Sequence, residues 1–147
     1  MAAISLSSAT LRIYGDDADP DQISALLGCT PSASYRKGDA TYPPKNPKPR
    51  RHGMWRLMAR DCEPEALDLQ IVGLLNQVTQ DLAIWRQIAA SHEVDIFCGL
   101  FMKESNEGLR LSPQTLARLA ERGIALDLDI YGPGDEAGLG GAPSSEA

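Results

Sequence analysis

The stretch Ile124-Ala-Leu-Asp-Leu-Asp-Ile-Tyr131 alternates between large apolar residues and mostly polar ones. Successive side chains of a strand point to opposite faces of its sheet, so this pattern predicts a strand with one face on a core and the other in solvent. Ser7 to Gly15 shows the same alternation near the other end of the chain. The protein is therefore predicted to contain a sheet that is covered on one side.

Further alternating stretches predict strands at 53–60 and 93–103, with a short pairing arm at 109–111. Capping residues and helical spacing predict one helix after Asp19-Pro20, two in series from Pro64, and one from Ser112-Pro113. The fold class predicted is α+β, with a single, mostly antiparallel sheet of four to five strands and helices packed on one face. A ferredoxin-like arrangement is the nearest simple topology.

A chain of 147 residues has the usual length of a single domain. We expect a single α+β domain over residues 1–131 and a disordered tail, rich in Gly, Pro, Ser and acidic residues, over 132–147. Residues 29–52 show no periodic pattern and hold four closely spaced prolines, which predicts a long, exposed, basic loop. No apolar window reaches the length of a membrane span, and the N-terminus lacks the pattern of a secretory signal, so a cytoplasmic protein is expected.

Charge is distributed unevenly along the chain. The segment from Arg36 to Arg60 holds eight of the 14 basic residues and one of the 20 acidic ones, although the formal net charge is −6. The acidic balance argues against a general nucleic-acid binder. The basic loop is a candidate contact for an anionic ligand or an acidic partner, through the residues Lys45, Lys48, Arg50, Arg51 and His52. The alternative is that the loop folds back onto the protein's own carboxylates.

The polar side of the predicted sheet offers a second set of candidates. Asp127 and Asp129 project from the same face of the last strand, together with Tyr131. Such a pair of carboxylates could serve acid–base chemistry or line a shallow groove. If Arg12 and Arg56 lie on neighbouring strands with the same facing, cross-strand ion pairs explain these residues without any substrate.

No catalytic residue, metal site or cofactor is predicted. The three cysteines, Cys29, Cys62 and Cys98, are scattered, and no recognised signature surrounds them or the two histidines. Cys98 lies on the apolar phase of its strand, which favours a structural role. The glycine runs near the C-terminus have no strand-to-helix context, so they do not predict a phosphate loop.

Several short motifs follow one another in a characteristic order. They are Gly28-x-x-Pro31, Gly38, Trp55-x-Leu57, Val94-Asp-Ile-Phe-Cys-Gly99, Leu111-Ser-Pro113 and Leu126-Asp-Leu-Asp-Ile-Tyr131. In this order the chain resembles the bacterial family catalogued as domain of unknown function 4279, from about the first strand to Tyr131. The resemblance implies the fold boundaries but no activity, because the family has no established catalytic residue or cofactor.

Three hypotheses of function remain open. The first is a non-enzymatic protein-binding module, such as an immunity- or inhibitor-type partner of another bacterial protein. The second is a protein or small enzyme that binds an anionic ligand on the exposed sheet face, with the basic loop as a lid. The third is a dimerising domain in which Phe97 and Phe101 extend an apolar face into a second copy.

Overall fold

The computed structural model describes residues 2–41 and 48–134. Its elements are, in chain order, β1 (Ala2–Ala3), β2 (Leu6–Gly15), α1 (Pro20–Leu27), β3 (Ala33–Tyr35), β4 (Gly53–Met58), α2 (Leu67–Asn76), α3 (Leu82–Ser91), β5 (Glu93–Phe101), β6 (Glu107–Gly108), α4 (Pro113–Glu121) and β7 (Ala125–Tyr131). Within these residues, no helix is long and apolar enough to cross a bilayer.

The main sheet has five strands in the order β3-β4-β2-β5-β7. β2 lies at the centre and pairs antiparallel with both β4 and β5, and β3 pairs antiparallel with β4. Within this sheet, β5 and β7 are the one parallel pair, since α4 carries the chain back between them. The small strands β1 and β6 form a separate parallel pair. The predicted α+β class and mostly antiparallel sheet are therefore confirmed.

The helices pack on one face of this sheet because the alternation of its strands is one-sided. Leu11 and Ile13 of β2, Trp55 of β4 and Ile96 of β5 are fully buried beneath the helices. Trp55 also donates from its indole nitrogen to Ser24 Oγ of α1 at 3.0 Å, which fixes α1 over β4. Residues in the opposite phase of the strands form the other side, which we call the polar face.

Helix ends follow the capping signals. Asp19 accepts from the amide of Asp21 at the start of α1, and Gly28 ends that helix with a φ of 66°. Asp81 and Ser112 cap α3 and α4 in the same way, so the predicted break between α2 and α3 and the predicted start of α4 are confirmed.

Three sequence-based expectations were wrong in detail. The predicted loop 29–52 contains an edge strand, β3, which its polar, proline-flanked sequence hides. α2 begins at Leu67 instead of Pro64, because Glu65 uses its side chain to accept from the amide of Leu67. The short arm is β6, which pairs with β1 and lies before the predicted 109–111. Most of the predicted tail, 135–147, lies outside the described residues.

Candidate functional site

The polar face is built around an ion pair that spans its two central strands. Arg12 of β2 and Asp95 of β5 are direct partners in the antiparallel register. Arg12 donates from Nε to Oδ1 of Asp95 at 2.8 Å and from Nη2 to Oδ2 at 2.6 Å. The two residues are only 4% and 2% exposed. This fork-to-fork geometry satisfies both charges, which burial would otherwise penalise.

Aromatic rings pack around the Arg12 guanidinium. Its central carbon lies 4.6 Å from the ring centre of Phe97 and 5.4 Å from that of Tyr14. Burial alone would lower the pKa of Arg12, but the hydrogen bonds and charge of Asp95 outweigh that effect and raise the pKa. Arg12 is therefore a fixed cation in the middle of the polar face, held by both its ion pair and its aromatic neighbours.

Asp127 and Asp129 of β7 do not serve as ion-pair partners of Arg12 in this way. The pKa of Asp127 is raised, mainly by a hydrogen bond shared with the carboxyl of Asp95 and then by burial. Asp129 accepts from the hydroxyl of Tyr131 at 2.7 Å. The ring of Tyr131 in turn stacks on Phe101, with centroids 4.7 Å apart and planes 4° from parallel. The expected cross-strand ion pair exists, but its carboxylate is Asp95.

A second cluster lies where the basic loop meets the sheet. A cavity of about 200 Å³, which we call the basic pocket, is lined by Tyr35, Thr41, Lys48, Pro49, Arg50, Arg51 and His52. The two flanks of the loop pair like a hairpin: the amide of Thr41 donates to the carbonyl of Lys48, and that of Arg50 donates to Asp39. This pairing positions three cationic side chains and one histidine around a single opening.

Two residues of the basic pocket, Arg50 and His52, contact tyrosine rings, and one of these tyrosines, Tyr35, lines the pocket itself. The Arg50 guanidinium carbon lies 4.0 Å from the ring centre of Tyr35. His52 packs between Tyr35 and Tyr14, with ring centroids 6.3 Å and 5.6 Å away. Since Tyr14 also borders Arg12, these aromatic contacts join the basic pocket to the Arg12–Asp95 pair.

The two ends of the basic segment differ in how their charge is neutralised. Arg36 pairs with Asp19 at 2.8 Å and with Asp21 at 2.6 Å, and Lys37 lies 3.9 Å from Asp16. The predicted folding back onto the protein's own carboxylates is therefore seen at the start of the segment. By contrast, no carboxylate in 2–41 or 48–134 forms an ion pair with Lys48 or Arg51.

The predicted site residues therefore fall into two groups. The basic pocket brings together Lys48, Arg50, Arg51 and His52, whereas Lys45 lies outside the described residues. Arg12 and Arg56 are cross-strand partners between β2 and β4. Across the sheet from them, β7 carries the remaining predicted residues, Asp127, Asp129 and Tyr131.

Sequence reasoning missed two residues of this arrangement. Asp95 shares the phase of Phe97 and Phe101 on β5, so its position on the same face as Arg12 was readable once β2 and β5 were known to be neighbours. Tyr35 belongs to β3, and the interpretation of 29–52 as a continuous loop concealed it.

Among the described residues, the buried cysteine and the potential metal ligands can be assessed separately. Burial raises the pKa of the Cys98 thiol to about 12, which keeps it protonated and unreactive at physiological pH. In the part of the chain that the structure describes, no three His, Cys, Asp or Glu side chains are grouped to hold a metal ion.

A groove of about 360 Å³ lies between β4 and α2, with Met58, Cys62 and Leu69 among its lining residues.

Fold and geometry together define a small α+β protein with a tyrosine-backed basic pocket beside a buried ion pair. The chain belongs to the family described as domain of unknown function DUF4279, whose model matches residues 4–133. The resemblance carried by the sequence motifs is thus confirmed. No curated protein and no solved structure matches the chain significantly.

Proposed function

We propose that this protein is a non-enzymatic binding module whose basic pocket receives a carboxylate from an acidic segment of a partner protein. The observation that carries the proposal is the convergence of Lys48 and Arg51, both without an ion pair among the described residues, on one cavity with Arg50 and His52. Lys48 and Arg51, which line the same cavity, repel each other, and an incoming anion relieves that repulsion.

The volume of the basic pocket favours one anionic group over a complete metabolite. Small-molecule sites usually measure about 300–1,000 Å³, and this cavity is smaller, at about 200 Å³. A Glu or Asp side chain of a partner fits such a space, while the rest of the partner covers the surrounding surface. Because Arg50 is already stacked on Tyr35, its own side chain loses little freedom when an anion binds.

The state of the carboxylates favours binding over catalysis. Asp95 is engaged by Arg12, and Asp129 is engaged by Tyr131. General acid–base catalysis needs a group that can release and take up a proton at the reacting atoms. These two carboxylates are instead held in structural pairs, and Asp127 is held by its hydrogen bond with Asp95.

An immunity- or inhibitor-type role is the form of binding that fits the charge distribution. A protein with net charge −6 and one basic pocket complements a partner that is basic overall and offers an acidic side chain locally. Complementary charge of this kind accelerates encounter and selects the partner more than it sets the affinity.

A small anionic ligand is the second candidate, favoured by the grouping of Lys48, Arg50 and Arg51 around one cavity. Two probes separate the candidates: a fluorescent glutamate-rich peptide and inorganic phosphate. Under the first proposal the peptide binds, and phosphate competes with it poorly. Under the second, millimolar phosphate displaces the peptide completely.

The test of the proposal uses a double variant that carries both Lys48→Glu and Arg51→Glu. The control is Arg86→Glu, a charge reversal at an exposed position on α3. In the double variant, the peptide loses its charge pairs with residues 48 and 51, so its affinity should fall by roughly tenfold. Added salt should weaken the wild-type complex. The Arg86 control should bind as the wild type does. Equal binding by all three proteins would contradict the proposal.

A further inference from the structure

The last strand leaves one long edge of the sheet without a partner among the described residues. β7 pairs with β5 on one side, and in the strand order it ends the sheet. The opposite edge is β3, which has three residues, whereas β7 has seven. Proteins commonly protect edges by keeping them short or by placing Pro or Lys there. β3 is protected because it is short, whereas β7 is long, has neither Pro nor Lys, and carries only the acidic charges of Asp127 and Asp129.

The side chains of β7 present a different chemistry on each side of this edge. Toward the helices, Leu128 and Ile130 are 47% and 55% exposed, which is unusual for large apolar residues in the core phase of a strand. Toward the polar face, the same strand carries Asp127 and Asp129. An incoming strand would therefore meet apolar residues on one face and carboxylates on the other.

We infer that the β7 edge binds an extended segment of a partner protein in which apolar residues alternate with Lys or Arg, added to the sheet as a sixth strand. The backbone groups along the outer side of β7 would hydrogen-bond to the segment, as in other strand additions. Its apolar residues would cover Leu128 and Ile130, while its cations would lie opposite Asp127 and Asp129. This inference does not depend on the basic pocket.

Charge disfavours the two occupants that this chain itself could supply. In an antiparallel pairing of two copies centred on Leu128, Asp127 of each copy would lie opposite Asp129 of the other, which places like charges side by side. Residues 135–147 contain Asp135, Glu136 and Glu146 but no Lys or Arg, so they would also bring acid to acid. A basic segment from another protein is the occupant that the strand complements.

Amide hydrogen exchange with a synthetic peptide of alternating valine and lysine tests this inference. We expect saturable protection of the outer amides of β7 by this peptide and none by its valine–glutamate counterpart. Methylation of the peptide's backbone nitrogens along one edge should abolish protection, while methylation along the other edge should leave it unchanged. Ile130→Lys and Asp127→Asn should each weaken binding about two- to fivefold, and the Lys48→Glu with Arg51→Glu variant should leave it unaltered.

Three results would overturn the inference. One is the absence of saturable protection at millimolar peptide, and another is equal binding of both methylated peptides. The third is that the β7 amides are already protected in the absence of peptide. If dilution removes this protection, a second copy is the occupant, and if removal of 135–147 does so, the occupant is the chain's own terminus.

Discussion

At the scale of the residue, the buried pair of Arg12 and Asp95 is the feature that organises the polar face. Each group would be costly to bury alone, and each is satisfied by the other through two hydrogen bonds. Because the pair joins β2 to β5 at directly opposed positions, it also favours one register of these strands over a slipped one.

Removal of one member of this pair should be strongly destabilising. Asp95→Ala takes away the carboxylate that receives two bonds from Arg12, and we expect a loss of about 3–5 kcal/mol in the free energy of unfolding. The double variant Arg12→Met with Asp95→Leu removes both charges and should lose much less. Urea unfolding measures both, and an equal loss in the two proteins would show that packing, not charge, explains the single variant.

The shared hydrogen bond between Asp127 and Asp95 gives a pH-dependent prediction. Since the pKa of Asp127 is raised in the folded protein, the fold holds this proton more tightly than the unfolded chain does. The resulting stabilisation is fully present when the pH is below the ordinary carboxyl pKa of 3.8. It is lost as the pH rises through the raised pKa of Asp127 in the folded protein. Asp127→Asn should therefore raise the melting temperature at pH 7 relative to the wild type, with the gain shrinking in acid. A gain that is constant from pH 3 to pH 7 would contradict this reasoning.

At the scale of the element, the entry into β4 depends on a close approach of two backbones. A Cβ on Gly53 would lie 2.2 Å from the carbonyl oxygen of Ala18, in the turn before α1. That turn and the end of the basic loop therefore pack directly against each other, so the loop's exit and His52 are held near the sheet.

Gly53→Ala tests this contact. The added methyl group must displace backbone, and we expect a loss of about 1–3 kcal/mol in the free energy of unfolding. Gly73→Ala is the matched control, because nothing lies within 4 Å of its Cβ and the residue is inside α2. It should leave stability unchanged or raise it by up to about 1 kcal/mol. If the two substitutions change the free energy of unfolding equally, the backbone at Ala18 moves without cost, which would contradict this reasoning.

Elements with strong local patterns were predictable, and elements defined by distant partners were not. The alternation of β2, β4, β5 and β7 and the caps of α1 and α4 are local properties of the chain. β3 and β6 have three and two residues, which is too short to show an alternation, so each is defined by the strand that pairs with it. The same reason explains why Asp95 was missed: its role follows from the order β2-β5, which no single stretch of sequence encodes.

At the scale of the whole molecule, charge separation is the property with functional consequences. The start of the basic segment is neutralised by the turn and first residues of α1, through Asp16, Asp19 and Asp21. The later part, around Lys48 and Arg51, carries its charge at the rim of the basic pocket. The acidic β7 edge lies across the sheet, at the end away from β3. A partner that meets both regions must carry charges of both signs.

The salt dependence of binding follows from this arrangement. Exposed charges are screened over about 8 Å at physiological ionic strength, so association through the basic pocket should slow markedly as salt increases. We expect the association rate of the glutamate-rich peptide to fall several-fold between low and physiological salt, while its dissociation rate changes little. Stopped-flow fluorescence measures both rates, and a salt-independent association rate would argue against electrostatic recognition.

The most direct measurement is a map of amide chemical shifts as isotope-labelled protein is titrated with the glutamate-rich peptide. Binding in the basic pocket predicts that the largest changes occur at Tyr35, at Lys48 and at 50–52 and spread to Tyr14, with no change on α3. Saturable changes confined to the helices, or none at any peptide concentration, would contradict the account.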